Sequence, residues 1–187
     1  MPVSLASTSA SSMHGAVVPL TYVSGFSGSS QQVVLTNIPQ GYQDLMIVGF
    51  GRTTYSAYAT SYSMILNNDF SSLYSNTVLG GNGSSAYSGR ITSVNYGLSS
   101  DYMMTAASAT SGIFASSVAH ILNYANSSTY KTVLMRGAAD TNGNGGTSLS
   151  VGLYRSTSPI TQIMIQTNGN YVSGSTFALY GVRTVNQ

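Results

Sequence analysis

From Val17 onward the chain alternates short apolar runs with clusters of Gly, Ser, Asn and Pro, the pattern of strands separated by turns. QQVVLTNIP reads as a strand that ends at Pro39, a residue unable to donate to a central ladder. DLMIVGFGR follows, and its near-continuous apolar run predicts a strand buried on both faces. YSMILNN, SLYSNTVLGG and RITSVNYGL come next, then YKTVLMRGA, TSLSVGLYR, ITQIMIQTN and STFALYGVRTV. In TSLSVGLYR, Leu149, Val151 and Leu153 alternate with Ser148, Ser150 and Gly152, which predicts a dry face carrying the large side chains and a wet face opposite. Roughly nine to eleven such runs at about 10-residue spacing predict an all-β chain.

One segment fits two periods. In SGIFASSVAHILNYA, Phe114, Val118, Ile121, Leu122 and Ala125 form a helical stripe. The same stretch read as a strand puts Val118, His120, Leu122 and Tyr124 on one side, and the surrounding β pattern favours that reading. The opening MPVSLASTSASSMHG has neither a basic nor an apolar region of a secretion signal and offers little to bury. The expected organisation is an extended N-terminal arm over residues 1–16 and one antiparallel β-sandwich domain over residues 17–187, jelly-roll-like in outline. Strand order stays open, because jelly rolls and immunoglobulin-like sandwiches share this one-dimensional pattern.

Composition sharpens the picture. Only 5% of the 187 residues are charged and the net charge is +2, against roughly 25% charged residues in an average soluble domain. Arg52, Arg90, Lys131, Arg136, Arg155 and Arg183 are dispersed, which argues against nucleic acid as a partner. A surface with so little charge repulsion predicts that much of it is covered in an assembly. Cysteine is absent, so thiolate chemistry and disulfides are excluded. No apolar run reaches the length of about 18 residues that marks a membrane-spanning helix.

Candidate chemistry is sparse. DTNGNGG places Asp140, Asn142, Asn144 and Gly145 like the opening of an EF-hand loop. The twelfth position is Val151, not a bidentate Glu, and strands flank the loop, so the segment reads as a hairpin tip whose cation candidates are too weak to assign. GGNGSS lacks the Lys of a phosphate-binding loop. His14 and His120 are the only histidines, and no GxSxG elbow accompanies them. Asp44, Asp69, Asp101 and Asp140 are the only acids, each beside turn-forming residues, where Asp serves as a turn former or cap. A glycosidase needs two carboxylates across a cleft, so an enzyme is not expected: no catalytic, cofactor-binding or metal residue is assigned, and no cofactor. Tyr occurs fourteen times and Trp not at all. Tyr55, Tyr58 and Tyr62 lie in TTYSAYATSY, read as a polar loop, where they either stack on sugars or a partner chain, or fill cross-strand pairs and the sandwich rim, the reading favoured by strand propensity.

LTNIPQGYQDLMIVGFGR, LNNDFSSLYSN with GGNGSS, ILNYANSSTYKTVLMRGA, GLYRSTSPITQIMI and GSTFALYGV together resemble a group of small β-sandwich virion proteins of tailed bacteriophages. NYANSSTYKT and GSTFALYGV are the most specific pieces, and the likeness spans about residues 17–185, a single domain's length. Such proteins serve as head decoration (cement) proteins or as domains of tail and fibre proteins. The resemblance implies a non-enzymatic virion structural protein; the favoured expectation is a decoration protein that bridges major capsid subunits as a homotrimer, with the arm of residues 1–16, which lies outside the likeness, laid across a neighbour. Its partners would be copies of itself and the major capsid protein, with no nucleic acid and no membrane. The alternative is a tail or fibre protein that attaches to host glycans, although no heptad or collagen-like shaft is present.

Overall fold

The computed structural model describes residues 17–183. The arm expected over residues 1–16, His14 included, and the last four residues of the expected domain lie outside the described residues. The described residues form β1 (Val17–Val23), β2 (Gln32–Leu35), β3 (Asp44–Gly51), β4 (Ala59–Leu66), β5 (Tyr74–Gly81) and β6 (Ala86–Val94). After them come β7 (Leu98–Thr105), β8 (Ala115–Leu122), β9 (Lys131–Asp140), β10 (Gly145–Tyr154), β11 (Ile163–Thr167) and β12 (Thr176–Val182). The all-β expectation holds. The ambiguous segment around His120 is strand β8, paired on both sides with β3 and β9.

Successive strands cross between two layers. The pairs β1–β12, β2–β11, β3–β8 and β4–β7 are each antiparallel. Pairing of β12 with β3 and of β11 with β4 joins them into two four-stranded sheets. Four nested strand pairs wound over two layers are the connectivity of a jelly roll, which settles the topology that the pattern left open. Two excursions, β5–β6 and β9–β10, then extend one layer, giving the order β1-β12-β3-β8-β9-β10-β5-β6 against the smaller sheet β2-β11-β4-β7.

The core lies between the layers, with Leu45, Ile47, Val133, Met135, Phe177 and Leu179 from the larger sheet facing Val33, Met64, Leu66, Leu98, Ile163 and Ile165 from the smaller. Each fully buried aliphatic side chain contributes about 1.5–3 kcal/mol. Tyrosine fills the core as well as the rim: Tyr62, Tyr74, Tyr124, Tyr154 and Tyr171 are fully buried. The hydroxyls of Tyr74, Tyr124, Tyr154 and Tyr171 find acceptors, as buried polar groups must. Tyr74 donates to the Asp69 carbonyl at 2.9 Å and stacks on Tyr154 at 4.8 Å between centroids.

Strand β7, which the apolar pattern passes over, determines which faces turn inward. It is the edge of the smaller sheet and packs across β8, β9 and β10. Its main-chain acceptors are taken up by side chains of the larger sheet instead of another strand. The Ser148 hydroxyl donates to the Asp101 carbonyl, and the Ser150 hydroxyl to the Ser99 carbonyl at 3.4 Å. The approach is close. A Cβ on Gly137 would come 2.6 Å from Met103 Sδ, and one on Gly152 2.8 Å from Leu98 Cδ2. Where β7 crosses β10 only small residues fit, so Ser148, Ser150 and Gly152 are buried while Leu149 is 50% and Val151 44% exposed. The expected dry face of TSLSVGLYR is therefore the outer one. Likewise β3 is not buried on both faces: Leu45 and Ile47 point inward, but Val48 and Phe50 are exposed because, among the described residues, no third layer covers the larger sheet.

Candidate functional site

Each sequence-level candidate has a definite place. Asp44 caps the turn after β8, its Oδ1 accepting from the Asn123 amide at 2.8 Å, while its Oδ2 lies 3.5 Å from His120 Nε2. Val118, His120 and Leu122 share the outer face of β8, but Tyr124 lies past the strand and is fully buried, so it does not join them. Asp69 closes a turn: Oδ1 accepts from the Ser71 amide and hydroxyl, and Oδ2 from the Tyr154 hydroxyl at 2.7 Å. The Ser71 hydroxyl outweighs a partial desolvation and holds this carboxyl below its ordinary range.

DTNGNGG closes the β9–β10 hairpin. Asp140 Oδ1 accepts from the Asn142 amide at 2.9 Å, and Asn142 and Gly145 adopt positive φ of 58° and 132°. GGNGSS turns β5 into β6, with Asn82 Oδ1 accepting from the Ser84 and Ser85 amides. A cleft of about 460 Å³ separates the two hairpin tips. Among the described residues no three His, Cys, Asp or Glu side chains gather as a metal site.

The tyrosine segment divides. Tyr55 and Tyr58 are exposed on the loop before β4, whereas Tyr62 lies inside β4 and is buried, which corrects its placement in a polar loop. Burial pushes the Tyr62 hydroxyl well above the ordinary tyrosine range. Asp101 also departs from expectation. It caps no turn; it sits within β7 and accepts from the Tyr87 hydroxyl at 2.8 Å.

Among the described residues, the outer face of the larger sheet is a broad surface that no other element covers. The cross-strand register places Val48, Val118, Arg136, Leu149 and Leu79 in one row, and Met46, His120, Leu134, Val151, Thr77 and Arg90 in the next. Leu79, Leu134, Leu149 and Val151 are all exposed, and Phe50, stacked on Phe114 at 4.9 Å, extends the apolar area at one corner. Most of the basic residues lie elsewhere. Lys131 is buried, donating to the Asn126, Thr129 and Thr157 carbonyls at 2.6, 2.8 and 3.1 Å, and desolvation lowers its pKa. Arg52 donates to the Thr110, Ile113, Ala107 and Ala109 carbonyls. Arg155 donates to the Ser72 carbonyl and the Ser93 hydroxyl. Structural bonds thus absorb three of the six cations and Arg183 lies over the Tyr42 ring, leaving Arg90 and Arg136 on the sheet's exterior.

No known family model, curated protein or solved structure matches this chain. The functional reading therefore rests on the surface itself. A broad sheet face with aliphatic side chains and few charges is suited to burial against another protein surface. Sequence reasoning missed it because the alternation in TSLSVGLYR was assigned inside-out. The available signal was the absence of polar residues on either face of LMIVGF.

Proposed function

We propose that the protein is a non-enzymatic virion structural protein, a capsid decoration protein that docks through the outer face of its larger sheet on major capsid subunits and bridges them. The carrying observation is the exposed aliphatic set Leu79, Leu134, Leu149 and Val151 on a chain with ten charged residues. Docking such a face removes apolar area from water at about 25 cal/mol per Å² and strips few charges of their hydration. Copies arranged as a homotrimer multiply that gain without a tight single contact. The likeness of NYANSSTYKT and GSTFALYGV to phage head and tail proteins agrees in kind.

Immunogold electron microscopy of purified virions, with an antibody against the chain, tests the reading. Gold over the heads supports decoration. Gold confined to tails transfers the protein to host attachment, and unlabelled particles, with the antibody proven on pure protein, overturn the virion assignment.

A further inference from the structure

A second surface is built for a different kind of ligand. Strands β4 and β7 lose register between Thr60 and Tyr62, where Asp101, Tyr102 and Met103 of β7 make a bulge. Tyr102 sits there at φ 54°, a left-handed conformation uncommon for a bulky residue. Bulges of this kind re-aim side chains, and such backbone outliers persist only where the surroundings hold them. Here the holding is visible. Gly146 of β10 seats the Tyr102 ring, since a Cβ there would come 2.5 Å from its Cζ; Gly80 of β5 seats Tyr87, where a Cβ would come 2.8 Å from Cε1. The Tyr87 hydroxyl donates to Asp101 Oδ2 at 2.8 Å.

The result is a pair of depressions that share Asp101. One, about 190 Å³, is walled by Tyr58, Tyr87 and Tyr102. The other, about 350 Å³, is walled by Tyr96, Val78 and Ile91 with the β5–β6 backbone. Asp101 is exposed, and Tyr87 is the one protein group that bonds its carboxylate among the described residues, so acceptor capacity remains for incoming hydroxyls. Flat aromatic faces, one carboxylate and several phenolic hydroxyls suit a ligand that is flat, uncharged and rich in hydroxyl donors. A single carboxylate disfavours anions and is too few ligands for a tight cation site.

We propose that this paired groove is a binding site for neutral hexopyranose oligosaccharides, with one sugar ring against Tyr58 and Tyr102, its hydroxyls donating to Asp101, and the next ring against Tyr96. Tyr87, Gly80 and Gly146 are positioning residues. The site lies at the edge of the smaller sheet, away from the aliphatic rows, and does not depend on the docking reading. It stands whether the protein sits on a head or a tail.

Amide and side-chain NMR of the full chain, titrated to millimolar concentrations with maltohexaose, triacetylchitotriose and, as the anionic comparison, sialyllactose, tests it. At least one neutral probe is expected to shift resonances of Tyr58, Tyr87, Asp101 and Tyr102. Tyr58→Ala, an exposed position whose loss leaves the fold intact, and Asp101→Asn should each weaken that binding by tenfold or more. Gly80→Ala should weaken it without touching the ligand. Absence of groove shifts with both neutral probes overturns the proposal, as does binding unchanged in Tyr58→Ala. Sialyllactose binding as tightly as the neutral probes overturns the assigned ligand class.

Discussion

Exchanging the two faces of β10 discriminates sharply between the observed fold and the arrangement that alternation suggests. Leu149 is 50% exposed and Ser150 1%. Burying a whole leucine is worth about 1.5–3 kcal/mol, so truncating a half-exposed one, Leu149→Ser, should cost about 1 kcal/mol. Ser150→Leu must force a branched side chain beneath β7, where Ser150 now bonds the Ser99 carbonyl. Overpacking of that kind costs about 1–3 kcal/mol, and the lost hydrogen bond adds about 1 kcal/mol more. The expected ordering is therefore Ser150→Leu well below Leu149→Ser in stability, by about 2 kcal/mol. Urea denaturation followed by circular dichroism measures it: with an m-value of about 2 kcal/mol per molar, the midpoints should differ by about 1 M at constant m. Were Leu149 inside, its truncation would cost about 2–5 kcal/mol and Ser150→Leu almost nothing. That reversed order would refute the packing of β7 on β10, and with it the outward aliphatic face.

Other outcomes follow from the same packing. Gly137→Ala should destabilise by about 1–3 kcal/mol, read as a lowered urea midpoint, because its Cβ meets Met103 and the main chain of β7. Alkaline pH should unfold the protein cooperatively. Burial raises the Tyr154 hydroxyl to about 12 and those of Tyr62, Tyr74 and Tyr171 further, against 10.0 for free tyrosine. Neutral phenol is thus the favoured folded form, so stability is fully present below pH 10 and falls above it by about 1.4 kcal/mol per pH unit for each such tyrosine. Tyrosinate absorbance that rises in one gradual step near pH 10, with the fold intact, would contradict this. Chelation should leave the melting temperature unchanged, since Asp140 closes a turn; a fall of several degrees would expose a cation site there.

Much of the fold was legible because period-2 patterning and turn chemistry act locally. Val133, Met135, Phe177 and Leu179 are core residues in segments read as strands, and Asp140–Gly146 is the turn its Asn and Gly content demands. What stayed hidden depends on the opposing layer. Serine on β10 faces inward only because β7 approaches it closely, and nothing within TSLSVGLYR encodes that neighbour. LSSDYMMT escaped notice as a strand because its bulge breaks the alternation and its polar groups bond the other sheet. Tyr62 looked like part of a polar loop, yet the Ser and Thr around it belong to β4. The saccharide groove draws Tyr58, Tyr87 and Asp101 from three separate segments, a grouping that no sequence spacing reveals.

The central claim is that the aliphatic outer face of the larger sheet docks on capsid. Its most direct test is co-sedimentation of purified protein with virion heads stripped of it, comparing the wild type with Leu149→Asp combined with Val151→Asp. The account predicts that the wild type pellets with the heads, while the variant, folded by circular dichroism, stays in the supernatant. A folded variant that pellets as fully as the wild type would contradict it, as would a wild type that binds isolated tails and leaves heads bare.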